Sequence, residues 1–359
     1  MEKVCYGLIG SGWRAEFYIR IAKLVPERFT LTAVLIRDKE KGRKFADQFG
    51  VKVVNTLEEL TKDRIDFVVL AIKRGFVSDY LEALFKKQIP VLSETPPGES
   101  LEALIHLWNA FEKYNGRIQV AEQYAYQPLY AAYQNVISSG KIGEVENISI
   151  SSLHGYHGVS MIRKYLGTGF QNCTLRGKRY WFDVTETYGR EGMVFDGEIV
   201  SCSRDRLTME FENGKVAFFD FSDPAQYHSF IRTRQINIQG VRGEIDDRTI
   251  RYLTKNHRPV TQELNRIDRG VYHNQEWSHY GIMLGEELLY QTPFMNARLN
   301  DDEIAVATCL LRMYDYVKTD TDFYSLKDAL QDMYLCLKME EAYANPYQAT
   351  VTETPCWAQ

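Results

Sequence analysis

Residues 4–93 alternate short apolar runs with amphipathic segments, and few folds accommodate that pattern. Val4–Ile9, Thr30–Ile36, Val51–Val54, Ile65–Ile72 and Pro90–Ser93 read as strands. Trp13–Leu24, Lys39–Phe49, Leu57–Leu60 and Val77–Lys87 read as helices. Strands that are apolar along their whole length need cover on both faces, which a parallel sheet flanked by helices provides. The expected fold class is therefore α/β, with a doubly wound parallel sheet whose ligand crevice lies at the carboxyl ends of the strands.

The first strand–helix junction carries Gly7-x-x-Gly10-Ser11-Gly12-x-x-Ala15. Gly10 suits the tight turn, Gly12 lets backbone approach a pyrophosphate, and Ala15 permits close helix–strand packing. The helix opening at Trp13 and Arg14 adds N–H donors and the positive end of its dipole. A glycine turn of this spacing can be merely structural; at the first junction of an alternating chain it points to a dinucleotide.

Cofactor choice is read at the end of the second strand, Leu35-Ile36-Arg37-Asp38. An acid there would bind the ribose 2′-hydroxyl of NAD, whereas an Arg accommodates the 2′-phosphate of NADP. Ile36 holds the acid position, Arg37 follows, and Arg14 lies in the first helix, so NADP is favoured over NAD. Asp38 fits a helix N-cap; a shift of one residue would instead make it the ribose ligand. Ala71, Glu94 and Thr95, at later strand ends, complete the expected cofactor contacts.

Length and composition bound the rest. A chain of 359 residues exceeds one ordinary domain. Lys and Arg number 43 against 48 Asp and Glu, a formal charge of -5 at pH 7, so no basic field draws it to nucleic acid. No apolar stretch approaches the roughly 18 residues of a membrane span. The six scattered cysteines form no CxxC pair and no zinc spacing, and Val4–Ile9 is too short for a signal-peptide core. A cytoplasmic protein with reduced thiols is expected. Aromatics are in excess at 13%, with 23 tyrosines, which suits either a ring-binding cleft or a wide core.

From Leu92-Ser93-Glu94-Thr95-Pro96-Pro97 onward the chain resembles the glucose–fructose oxidoreductase/inositol dehydrogenase (Gfo/Idh/MocA) family. The likeness continues at Gln119–Tyr124 and is most specific at Ile137-Ser138-Ser139-Gly140-Lys141-Ile142-Gly143-Glu144-Val145. Phe211-Glu212-Asn213-Gly214 and Ile238–Ile245 resemble hairpin and sheet-edge segments of the family's second domain; residues 168–200 match poorly. The resemblance implies a Rossmann domain over 1–122 and an α/β domain with a large, mostly antiparallel sheet over 123–359, the C-terminal helices packing back on the first. It also implies hydride transfer to or from a carbohydrate-like small molecule, and a homodimer or homotetramer formed through that sheet. Alternation at Val145–Ser151, Leu207–Phe211, Val216–Phe221 and Gln235–Gln239 agrees with strands independently. Asp301–Val317 and Leu326–Ala342 read as core helices.

The chemistry departs from the family. Hydride transfer at a carbinol needs a group to exchange the hydroxyl proton. The family uses the Lys of Glu-Lys-Pro with an Asp and a His; here the motif is Glu94-Thr95-Pro96, and Leu153 replaces the Asp, expected one helical turn before His157. Val77 stands where relatives often carry His. His157 is retained, and imidazole ordinarily titrates near neutrality. The expected catalytic set is thus His157, Lys73 and Tyr124, with His154 and Tyr156 as further hydroxyl ligands. Glu94 is expected to orient its loop, and Pro96 and Pro97 to fix the backbone there, one through a cis bond.

Two other outcomes stay open: a non-catalytic nucleotide- or sugar-binding sensor, and a redox-assisted lyase or glycosidase. No metal is expected, since His273 and His279 lack helical ligand spacing; their run Tyr272–Tyr280 reads as a helix. Tyr180-Trp181-Phe182 and Tyr188 are candidates for stacking on a sugar, or for packing.

Overall fold

The computed structural model describes residues 2–189, 192–223, 230–270, 273 and 278–359. The chain divides into two compact units, neither of which is a single stretch. The first comprises Met1–Ala131, Arg266–Ile282 and Tyr290–Met333; the second comprises Ala132–Asn265, Met283–Leu289 and Tyr334–Gln359.

The first unit begins β1 (Val4–Ile9), α1 (Trp13–Leu24), β2 (Phe29–Leu35), α2 (Lys39–Phe49), β3 (Val53–Val54) and α3 (Leu57–Leu60). It continues β4 (Phe67–Leu70), α4 (Val77–Lys86), β5 (Val91–Ser93), α5 (Leu101–Tyr114) and β6 (Ile118–Val120), then α6 (Pro128–Ser138). The strands form a six-stranded sheet ordered β3-β2-β1-β4-β5-β6, with all five neighbouring pairs parallel. This is the doubly wound sheet expected from the sequence, though strands three and four are shorter than their apolar runs.

Local chemistry sets the element ends. Asp38 caps α2 by accepting from Lys41 N, and Gly50 closes that helix with φ 59°. Thr56 and Glu59 form a reciprocal capping box on α3. Tyr6, Leu8, Phe67 and Val69 are buried with Ile304, Val306 and Leu310 in one apolar core. Their burial is the main favourable term holding the sheet and its helices.

The second sheet begins with β7 (Val145–Ile150), followed after α7 (Gly155–Leu166) by β8 (Cys173–Thr185). A small hairpin, β9 (Tyr188–Gly189) and β10 (Gly192–Met193), intervenes before β11 (Ile199–Phe211), β12 (Val216–Asp223), β13 (Ile236–Gly240) and β14 (Gly243–Asp246). Then come β15 (Thr249–Leu253), β16 (Pro259–Arg269), β17 (Ser278–Leu284) and β18 (Glu287–Gln291). The chain ends with α8 (Asp301–Thr319), α9 (Leu326–Ala344) and β19 (Thr350–Val351). The sheet has eleven strands in the order β18-β17-β16-β15-β14-β13-β7-β12-β11-β8-β19. β12 and β7 are parallel, whereas β8, β11, β13, β14 and β15 pair antiparallel. The expected hairpin at Phe211–Gly214 is present, with Gly214 at φ 83°.

Two expectations are corrected. Most of the run Tyr272–Tyr280 lies outside the described residues, but Ser278, His279 and Tyr280 open strand β17, not a helix. Leu153 is not one turn back on the helix of His157: α7 is capped by His154, and Leu153 precedes the cap with 2% exposure. Its leucine side chain belongs to the core.

Candidate functional site

Gly10 has φ 139°, and a Cβ there would lie 2.0 Å from the Ala71 carbonyl oxygen. Only glycine allows β1 to turn this tightly against the end of β4, whose next residue, Ala71, donates its N–H to Ile9 O at 2.9 Å. Gly12 is the N-cap of α1, extended, with no side-chain cap, and a Cβ there would meet nothing within 4 Å. The first turn of α1 therefore presents N–H groups beside backbone that a ligand can approach. This donor set fits the pyrophosphate of a dinucleotide. Ala15 is fully buried, as close helix–sheet packing requires. Ser11 is half-buried, and Trp13 is 52% exposed with an edge-on contact to Phe17.

Arg14 follows at the second position of α1. Its Nε donates to Glu94 Oε1 at 2.9 Å and its Nη1 to Asp302 Oδ2 at 2.8 Å. Tyr18 Oη donates to the same Glu94 oxygen at 2.5 Å. Gln123 and Gln127 donate to the other Asp302 oxygen at 3.3 and 3.4 Å. Burial and the Glu94 charge push the Tyr18 phenol well above its usual range, so it stays a donor to the carboxylate. Glu94 is thus clamped from two sides, and the following Thr95-Pro96 bond is cis, as the sequence suggested.

Arg14, read from the sequence as a cofactor cation, is held by two carboxylates. Arg14→Met leaves Glu94 and Asp302 without their shared cation, and is expected to destabilise the first unit by about 2–4 kcal/mol. The loss falls at or just below the usual 3–5 kcal/mol or so for a buried pair, because Asp302 keeps 28% side-chain exposure. Urea unfolding of the variant, against an Arg14→Met/Asp302→Asn double variant that recovers part of the loss, measures this; equal stability of wild type and Arg14→Met would refute the clamp.

Arg37 is exposed just beyond β2, with its guanidinium carbon 5.2 Å from the Tyr80 ring centroid. The neighbouring Asp38 carboxylate is used in capping, accepting from Lys41 N at 3.0 Å. Lys73 is exposed and caps the short turn Arg74–Phe76 that follows β4. Tyr124 is half-buried in the turn Gln123–Tyr126 after β6, its ring 6.2 Å from that of Tyr130. Burial, with the Asp302 and Glu122 charges behind it, raises the Tyr124 pKa.

His157 lies on α7 in the second unit. Its half-buried ring stands 4.9 Å from His154 and 5.5 Å from Tyr156. Gly158 lets the helix seat on the sheet, since a Cβ there would come 2.6 Å from the Phe219 ring of β12. Tyr180, Trp181 and Phe182 are exposed on β8 at 41%, 67% and 56%, while Tyr188 packs edge-on against Phe230.

Among the described residues no group of three or more His, Cys, Asp or Glu side chains could hold a metal. His279 instead stacks on Tyr290 and bonds Asp268 through Nδ1 at 3.0 Å. No described helix is long and apolar enough to cross a membrane.

Sequence reasoning missed Asp302, Tyr18 and Tyr80. Asp302 lies 288 positions from Arg14, and only an Asp in the first turn of a helix could have drawn attention to it.

Residues 4–122 match the model of the Gfo/Idh/MocA oxidoreductase family, described as an NAD-binding Rossmann fold. An uncharacterized oxidoreductase of Rhizobium meliloti, ORF334, is 25% identical over 150 residues, which span 41% of this chain and 45% of that protein. The chain's fold is that of an oxidoreductase from Agrobacterium radiobacter solved with NAD+, L-tartaric acid and magnesium. The TM-score is 0.68 at 18% identity, covering 97% of this chain and 98% of that one. A scyllo-inositol dehydrogenase from Lactobacillus casei gives 0.66 at 16% identity, covering 98% of both chains. A myo-inositol dehydrogenase from Corynebacterium glutamicum gives 0.66 at 13%, covering 99% and 100%. Residues 4–122 are thus similar to the NAD-binding Rossmann module of the Gfo/Idh/MocA oxidoreductases, and the glycine turn and the strand order agree with that match.

Proposed function

We propose that this protein is a nicotinamide-dependent oxidoreductase acting on a sugar, polyol or related hydroxy or keto compound, with NADP favoured over NAD. The observation that carries the reading is the turn at Gly10–Gly12, where a Cβ is barred at one glycine and open space lies beside the other. Such a turn at the start of an uncapped helix is built to receive a pyrophosphate. The inositol dehydrogenases that share the fold support a carbohydrate-like substrate. Arg37 supports NADP, because the adjacent acid is committed to a helix cap.

When bound, the nicotinamide supplies the hydride acceptor or donor. The chain's own residues do the rest. The first turn of α1 holds the pyrophosphate, and the Arg14–Tyr18 clamp on Glu94 fixes the loop carrying Thr95. Tyr124, kept protonated by burial, donates a hydrogen bond to the substrate oxygen. In the second unit, His157 is the candidate for exchanging the hydroxyl proton, the task that Thr95 cannot perform.

Exposed Tyr180 and Phe182 share a sheet face with Phe218, which is 46% exposed. That face supports the proposal that the protein is a homodimer or homotetramer assembled through its second sheet.

The test is a sugar and polyol panel with NADP+ or NAD+ supplied, followed by absorbance of the reduced nicotinamide. Turnover of at least one member is expected, faster with NADP+. Silence across the panel despite NADPH binding, seen as quenched or enhanced nicotinamide fluorescence, would favour the sensor reading that Thr95 invites. No binding of NADPH or NADH would sink the cofactor assignment.

A further inference from the structure

We propose that Tyr80 is a positioning residue for nucleotide selectivity: its ring holds the Arg37 guanidinium over the adenosine end of the crevice, so that the pair selects a nucleotide carrying a 2′-phosphate. The inference rests on the dinucleotide reading above and adds a residue from a different element. Arg37 follows β2, whereas Tyr80 is on α4, which follows β4; in the sheet β1 lies between those two strands. Their contact at 5.2 Å therefore spans the end of β1, where the Gly10–Gly12 turn begins.

The acids nearest in sequence are engaged elsewhere. Asp38 accepts from Lys41 N at 3.0 Å, Glu40 pairs with Lys44 at 2.9 Å, and Glu59 accepts from Asn55 N at 2.8 Å. Asn55 in turn donates to the Ile36 carbonyl at 2.8 Å, fixing the chain one residue before Arg37. Among the described residues Arg37 has no carboxylate partner, so its charge is available to an incoming anion.

A guanidinium can use its face and its edge at once. Stacking over an aromatic ring occupies the face, while the N–H groups along the edge stay directed outward for a phosphate. An exposed Arg otherwise loses rotamer freedom when it closes on a ligand, and a ring that already restricts it removes part of that cost. Tyr80 is half-buried on α4, so the platform itself is fixed by its helix. The expected recognition is of a 2′-phosphoadenosine group.

Titration calorimetry of the full chain with 2′,5′-ADP and with 5′-AMP tests this without turnover. Wild type is expected to bind 2′,5′-ADP more tightly, and Arg37→Ala to lose that preference by at least about tenfold. Tyr80→Leu is expected to weaken 2′,5′-ADP about two- to fivefold, the worth of an exposed cation–π contact, and to leave 5′-AMP unchanged. Tyr80→Phe keeps the ring and is expected to match wild type. If Arg37→Ala loses the preference while Tyr80→Leu keeps it, or weakens both ligands equally, the role of Tyr80 is refuted and the 2′-phosphate reading stands. If wild type binds the two ligands alike, that reading falls and takes this proposal with it.

Discussion

Gly10→Ala is expected to abolish the proposed nucleotide binding and to lower the stability of the first unit by about 3–5 kcal/mol. Two costs combine. The residue sits at φ 139°, a region closed to L side chains, and its Cβ would stand 2.0 Å from the Ala71 carbonyl oxygen. That oxygen is backbone, at the end of a strand buried on both sides, so the collision is relieved only by moving β4 away from β1. Gly12→Ala separates folding from binding, because its Cβ meets nothing within 4 Å and the helix cap is already extended. It is expected to keep the thermal midpoint of wild type while weakening NADPH by roughly tenfold or more, since the added methyl occupies the approach to the helix N-terminus. Differential scanning fluorimetry with and without NADPH reads both effects. A Gly12→Ala variant binding as well as wild type would show that the turn is structural only.

How much of this was legible beforehand depends on range along the chain. The parallel sheet was legible because each strand and its flanking helix declare themselves within about twenty residues, and the glycine turn because its chemistry is local. Asp38 as a cap was legible for the same reason, and the structure bears it out. The clamp on Glu94 was not: it brings together α1, the end of β5 and α8, and neither Arg14 nor Asp302 is unusual alone. Arg14 reads in the sequence as a charge near the glycine turn, and sequence shows that charge without showing the two carboxylates that pair with it. Arg37 and Tyr80 are likewise ordinary until the strand order places the helix after β4 across from the end of β2. Leu153 misled in a different way. Spacing of four residues suggested one helical face, but the helix starts only after His154, and a short polar or small N-cap was not there to announce it.

His157→Ala is expected to lower kcat/KM roughly 10²–10⁴-fold on whichever substrate the panel identifies, the usual worth of a positioned general acid–base. Four groups of the first unit are poorly suited to accept that proton. Thr95 replaces the motif lysine and carries only an alcohol. Tyr18 and Tyr124 are pushed upward by burial and by the carboxylates beside them, so both stay protonated and can donate a hydrogen bond without being ionised bases. Glu94 is already bonded by Arg14 and Tyr18 through the same oxygen. His157 is half-buried on a helix seated firmly against the sheet by Gly158, which is the rigid placement an acid–base group needs. The variant should keep NADPH affinity, because the phosphate-binding turn belongs to the other unit, and should lose little stability, because a half-buried ring on a helix surface contributes about 1 kcal/mol or less. His154→Ala is the matched control. Its ring lies 4.9 Å away, at the N-cap of α7 and not within the helix, and its removal is expected to reduce turnover far less. A His157→Ala enzyme with an unchanged rate would remove the assigned role, and a selective loss in His154→Ala would move that role one turn toward the start of the helix.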